Sequence, residues 1–293
     1  MDTFILMGIT GIGLGALYFL IASGLTLIYG LMGVLNFAHG ALLTVGAFAG
    51  LWFATKVATA TNTTNFLLSM IVGGLAAGLI ALIAEQLIIT KLYERHMDQA
   101  LVTVGLALVI GAVLAGWFGN DLHTYPTPLW FAKGIKIGTA IIPADRFMYI
   151  GVAIALLIGN WALLKFTRIG LIIRAGVENR TMVSALGINV KRAFSAVFFL
   201  GGFAAGVGGV LVSIYSNGVS PLIAGSYLIY GFIVVVIGGL GSVPGSFLAA
   251  MLIGIIKQYA NYYVTGLGDF VVVLLLAIVL LVRPQGLLGR VNS

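Results

Sequence analysis

Few residues in this sequence could do chemistry, and their placement argues against catalysis. The three histidines, His39, His96 and His123, fall in three separate regions, and there is no cysteine. Thiol chemistry and cysteine-based metal sites are excluded on that ground. The sequence has no HExxH helix, no carboxylate pair at acid–base spacing and no GxSxG elbow. No Gly-Lys dipeptide occurs, which rules out a Walker A phosphate loop. GIGLG (11–15) has glycines like a dinucleotide fingerprint, but it lies inside an apolar run, where helix packing is the better reading. The chain is expected to hold no catalytic residue, metal or cofactor.

What remains are ionisable or polar side chains embedded in apolar sequence, where each is a candidate by default. Glu85 and Lys257 lie five to seven residues from the ends of their apolar runs, within reach of a membrane interface. Tyr259, Tyr262 and Tyr263 beside Lys257 suggest an interfacial aromatic belt. Asn36 and His39, three apart in GLMGVLNFAHG (30–40), could line a translocation route or bond backbone freed by a helix break.

The elements that carry these residues follow from composition. With 293 residues, 61% apolar and 8% charged, and a mean hydropathy of +1.15, the chain is far below the roughly 25% charge of a soluble domain. The fold class expected is an all-α polytopic membrane protein forming one domain over 1–293. A β-barrel would show short alternating segments instead. No charge occurs between Asp2 and Lys56, too long a stretch for one crossing of an apolar core about 30 Å thick. It must break, and 30–40 is the place, either at the membrane surface or as a discontinuous helix at depth.

Further spans are expected near 66–90, 100–118, 147–164, 193–214, 246–264 and 268–283. Residues 226–240 form a short span or re-entrant piece, giving eight or nine spans in all. Segments 91–99, 165–192 and the tail from 283 hold ten Lys/Arg, against four at Lys56, Lys133, Lys136 and Arg146. The positive-inside bias then places 119–146 and the N-terminus outside, and the basic loop 165–192 and the C-terminus in the cytoplasm. The N-terminus lacks a basic n-region and is expected to be uncleaved.

The basic loop suggests a short helix over about 177–186, stopped by Gly187, with Met182, Val183 and Leu186 on one face and Arg180 turned away. By periodicity alone it is equally an amphipathic segment on lipid headgroups and a docking helix for a cytoplasmic protein.

GLTLIYGLMGVLNFAHGALLTVGAF (24–48), RAGVENRTMVSALGINVKR (174–192), GGFAAGVGGVL (201–211) and GGLGSVPGS (238–246) resemble the permeases of branched-chain amino acid ABC importers, in the order that family has them. The LivH-type subunit is the nearest in character, and the likeness spans nearly the whole chain. The family also serves urea, short amides and other amino acids, and Ala41 stands where many LivH-like chains carry an acid.

The resemblance implies a heterodimer with a second, LivM-like permease in a bacterial or archaeal cytoplasmic membrane. It further implies two cytoplasmic ATPases, which bind ATP–Mg in this chain's stead, and a periplasmic solute-binding protein. It tips the reading of the basic loop toward a coupling helix contacting an ATPase, made of Val177, Glu178, Arg180, Met182, Val183, Leu186 and Gly187. The competing expectations are a proton-driven carrier relaying through Glu85, His39 or Lys257, and a passive channel.

Overall fold

The computed structural model describes residues 2–93, 95–178, 182–183, 186–187 and 189–289. Among them are ten α-helices. In chain order these are α1 Asp2–Met32, α2 His39–Trp52, α3 Thr63–Leu87, α4 His96–Phe118, α5 Asp145–Phe166, α6 Arg168–Glu178, α7 Val190–Tyr215, α8 Ile223–Gly238, α9 Val243–Tyr263 and α10 Leu267–Val282. The α4–α5 connection, expected as a plain polar loop, contains an antiparallel hairpin of β1 Gly134–Ile137 and β2 Ala140–Pro143.

Seven helices are long and apolar enough to cross a membrane, counting α2 with its continuation to Val57. Helices α8 and α10 have 16 residues each, short of the roughly 20 a span usually takes. Helix α8 nevertheless runs the length of the bundle. Near its start Tyr227 meets Ser216 just beyond α7, and past its end Gly241 lies against Gly30 of α1. The expected short segment 226–240 is one continuous helix through Gly238.

The two ends of the bundle are distinct. At the basic end, Val183, Val190 and Phe194 form an apolar cluster with Met32, Tyr93 and Ala175. At the hairpin end, Trp130 donates its indole N–H to Thr63 Oγ1 at 2.9 Å, and His123 and Val219 exchange backbone hydrogen bonds.

Glycine sets how closely the central helices meet. Helix α7 packs against α1, α2 and α3. A Cβ on Gly46 of α2 would fall 2.2 Å from the Cα of Gly206 on α7, and one on Gly206 would fall 2.5 Å from the carbonyl of Gly73 on α3. Three backbones thus touch where lipid offers no hydrophobic force to push helices together, so close contact must supply the cohesion. The GIGLG run does the same on the other side of α1. A Cβ on Gly254 of α9 would fall 2.3 Å from the nitrogen of Gly15.

Helix α4 is peripheral. Its buried residues are Gln99, Thr103 and Leu114, while Leu101, Leu108 and Trp117 are exposed. An exposed apolar helix is costly in water and natural in lipid.

The break between α1 and α2 spans residues 33–38. Gly33 takes φ +65, which glycine reaches without Cβ strain. Its backbone groups are paired locally: Asn36 Oδ1 accepts from Ala38 N–H at 3.1 Å, and the Asn36 carbonyl accepts from His39 N–H at 3.2 Å. Thr103 of α4 accepts from Phe37 N–H at 3.2 Å. Irregular backbone inside a membrane protein survives only when so satisfied.

At the basic end, Thr167 ends one helix and begins the next. Its N–H bonds back to the Leu163 carbonyl, and its hydroxyl accepts from Gly170 N–H at 3.0 Å. Helix α6 then lies after α5 with Ile173 fully buried and Leu171 exposed.

Candidate functional site

The segment expected to form the coupling helix follows α6. Arg180 lies outside the described residues, as do the side chains of Val177 and Glu178; the backbone at 177 and 178 is the end of α6, not the start of a new helix. Beyond them, Leu186 N–H reaches the Met182 carbonyl at 3.2 Å. Gly187 takes φ +78, the left-handed conformation that closes helical turns.

The three apolar side chains expected on one face divide. Val183 is 6% exposed and packs with Val190 and Phe194, whereas Met182 and Leu186 are 62% and 69% exposed. Met182 and Leu186, four apart, share one side of the turn, while Val183, next in sequence and about 100° further round, turns to the bundle. Val183 is the anchor, and Met182 and Leu186 form the outward surface.

Beneath this anchor sits Glu85, expected near the interface and found fully buried. Its carboxylate accepts from Tyr93 Oη at 2.5 Å, Thr90 Oγ1 at 3.0 Å and Ser195 Oγ at 2.6 Å. Tyr93 packs its ring against Phe194 at 6.0 Å between centroids. A continuous set of contacts therefore joins the basic loop to α3 through one carboxylate.

Lys257 ends at a carboxylate in the first turn of α10. Its ammonium lies 2.6 Å from Asp269 on α10 and donates to Tyr230 Oη of α8 at 2.6 Å. It also sits over the Tyr230 ring, 3.9 Å from the centroid, while Tyr230 stacks on Tyr18 of α1 at 4.8 Å. Tyr262 and Tyr263 are exposed, and Tyr259 donates to the Phe4 carbonyl at 2.8 Å.

Arg146, counted in the exterior loop by sequence, belongs to the first turn of α5. It pairs with Asp145 at 3.3 Å and lies over the rings of Tyr149 and Tyr215 at 5.5 and 4.7 Å. Outside the spans, burial pushes the Tyr125 phenol above the usual tyrosine range, so it stays protonated and donates to Ser69 Oγ at 3.0 Å.

His39 and Asn36 are both buried. His39 Nε2 pairs with the Ile21 carbonyl at 3.0 Å, and the ring fills a notch left by Gly24. Asn36 spends its side-chain oxygen on Ala38 N–H. Asn36 thus pairs backbone within the break, while His39 ties the start of α2 to a carbonyl in the interior of α1. The partners of Glu85 and Lys257 were not anticipated. A search for opposite charges flanking the turn 264–266 would have paired Lys257 with Asp269. The hydroxyl cage of Glu85 leaves no such trace, because Ser195 is 110 residues away.

No cluster of three or more metal-ligating side chains is present among the described residues.

Residues 7–282 match the family model described as branched-chain amino acid transport system / permease component. The chain is 28% identical over 290 residues to the high-affinity branched-chain amino acid transport system permease protein LivH of Salmonella typhimurium, covering 96% of this chain and 94% of that protein. It is 27% identical to BraD of Pseudomonas aeruginosa over 96% of this chain and 94% of that protein. It is also 30% identical, over 83% of this chain and 67% of that protein, to the fructose import permease protein FruF of Bifidobacterium longum. A chain this apolar, matched almost end to end, belongs to the branched-chain amino acid transport system permease family as a multi-pass inner-membrane protein.

Proposed function

We propose that this chain is a transmembrane subunit of an ABC importer for branched-chain, hydrophobic amino acids, paired with a second permease and driven by two cytoplasmic ATPases. The observation that carries the proposal is the division of the basic loop. Val183 is fixed in the bundle, and Met182 and Leu186 project from it. A partner protein seated on those two side chains gains a grip on α7 through Val190 and Phe194 and on α3 through Tyr93 and Glu85. ATP-driven closure of the ATPases would move that grip and tilt α3 and α7 about their glycine contact. Solute delivered by a periplasmic binding protein would then pass between the permease subunits.

The names of LivH and BraD favour branched-chain amino acids as the solute. The fructose permease among the relatives favours a second reading, the same machinery serving another small polar solute. The ionisable groups a proton relay would use are engaged otherwise: Lys257 with Asp269, Glu85 with three hydroxyls, His39 with a backbone carbonyl.

Reconstitution with partner ATPases and binding protein tests the proposal. Met182→Ala with Leu186→Ala is expected to leave the thermal stability of the complex unchanged and ATP hydrolysis running while leucine uptake falls several-fold. Full uptake in that variant would remove the docking role. Uptake by this chain alone, driven by a pH gradient without nucleotide, would overturn the importer reading altogether.

A further inference from the structure

We infer that the groove between α3 and α7 at the basic end is a binding site for one anionic phospholipid, a role independent of which solute the permease carries. The groove is a cavity of about 510 Å³ lined by Leu82, Gln86, Thr90, Asn189, Lys191, Arg192, Ser195, Ala196 and Phe199. Three observations identify its occupant.

The lining is graded along the bundle axis. On α7, Lys191 and Arg192 stand at the mouth, Ser195 and Ala196 one turn in and Phe199 another turn in. At about 1.5 Å per residue, Phe199 is about 10 Å deeper than Arg192. On α3 the polar Gln86 is at the mouth and Leu82 one turn deeper. Charge at the end of the bundle and hydrocarbon below it is the polarity of a phospholipid, with headgroup phosphate above acyl chain. A free phosphate would use the cations and leave the apolar wall uncovered.

The groove opens sideways toward the bilayer. Leu75, Leu79 and Ile83 of α3, next to the groove, are exposed, as expected of a lipid-facing stripe. The floor exists because two glycines leave room for aromatic rings: Phe203 lies over Gly74 and Phe199 over Gly78.

The mouth is cationic. Lys191 and Arg192 are exposed and carry no ion pair among the described residues. Among the described residues, the carboxylate against this lining is Glu85, and it is screened from the groove because Thr90 and Ser195 turn their hydroxyls onto it. Asn189 caps α7 by accepting from Arg192 N–H at 3.2 Å, which fixes where the two cations emerge. The outward surface at Met182 and Leu186 is a separate patch, so a lipid here and an ATPase there need not compete.

The test uses the assembled transporter complex, purified from membranes and exchanged into mixed vesicles or detergent. Native mass spectrometry counts retained phosphatidylglycerol against phosphatidylcholine. The wild-type complex should retain phosphatidylglycerol selectively. Each basic residue near a membrane surface strengthens anionic lipid binding about fivefold. Lys191→Gln with Arg192→Gln should therefore weaken retention about 25-fold, and Ala196→Phe, which fills the wall and leaves the charges, should also weaken it. Glycerol phosphate, bearing the headgroup without chains, should not displace the lipid. Equal retention of both lipids, or unchanged retention in the double variant, would overturn the proposal, as would displacement by glycerol phosphate.

A cysteine placed at Ala196 would be the only one in the chain. Its protection from a water-soluble maleimide should depend on anionic lipid. Protection that instead depends on the ATPases would assign the groove to a protein partner and sink the lipid reading.

Discussion

Ser195, on the second turn of α7, donates its hydroxyl to Glu85 near the end of α3 at 2.6 Å, and Tyr93 donates to the same carboxylate at 2.5 Å. This carboxylate is what makes the start of α7, the end of α3 and the turn after it move as one piece. Glu85→Ala removes the acceptor for three hydroxyls. Hydrogen bonds between helices in a bilayer average about 0.6 kcal/mol, so a loss of about 2 kcal/mol is expected by equilibrium unfolding of the purified protein. Tyr93→Phe, which removes one bond and keeps the ring against Phe194, should cost less than half as much.

Lys257 and Asp269 form a pair whose members are unequally buried, with side chains 13% and 63% exposed. Removing one partner of a buried pair costs several kcal/mol because the other is stranded. Asp269→Ala strands the buried lysine and is expected to cost about 2 kcal/mol, less than a fully buried pair because water reaches the site. Lys257→Met leaves an exposed aspartate that can hydrate, and should cost under about 1 kcal/mol. Thermal unfolding of the two variants side by side measures the asymmetry; equal losses would mean the pair is wetter than its geometry.

Gly46→Ala would set a Cβ 2.2 Å from the backbone of Gly206, and no flexible side chain is there to yield. Overpacking costs typically about 1–3 kcal/mol, and the yield of folded protein should fall accordingly. Gly105→Ala, in α4, meets nothing within 4 Å. There the helix gains propensity, up to about 1 kcal/mol. A scan of folded yield across both variants reads the contrast directly.

His39→Ala empties the notch beside Gly24 and removes the bond to the Ile21 carbonyl. Large-to-small changes in a packed interior cost about 2 kcal/mol or more. The expected result is lower folded yield with the apparent KM of the surviving transporter unchanged. A raised KM at full folded yield would place His39 on the solute route instead.

The sequence alone determined the solvent this chain lives in, the helix break within 30–40 and which end of the bundle carries positive charge. These are local properties: an apolar run, a glycine or an arginine acts on the residues beside it and the medium around it. It also carried the resemblance to a permease family, since the motifs at 24–48, 174–192, 201–211 and 238–246 are contiguous strings. Only the tertiary structure decided what the embedded polar groups do. Glu85 finds Ser195 from 110 residues away, and Lys257 is held where Asp269 and Tyr230 receive it. Val183 separates from Met182 and Leu186 because one side of their turn meets the cluster around Phe194. Periodicity counts residues along one helix, whereas burial depends on which other helix arrives beside it. In a bilayer that arrival is governed by close backbone contact such as Gly46 against Gly206, which hydropathy does not encode.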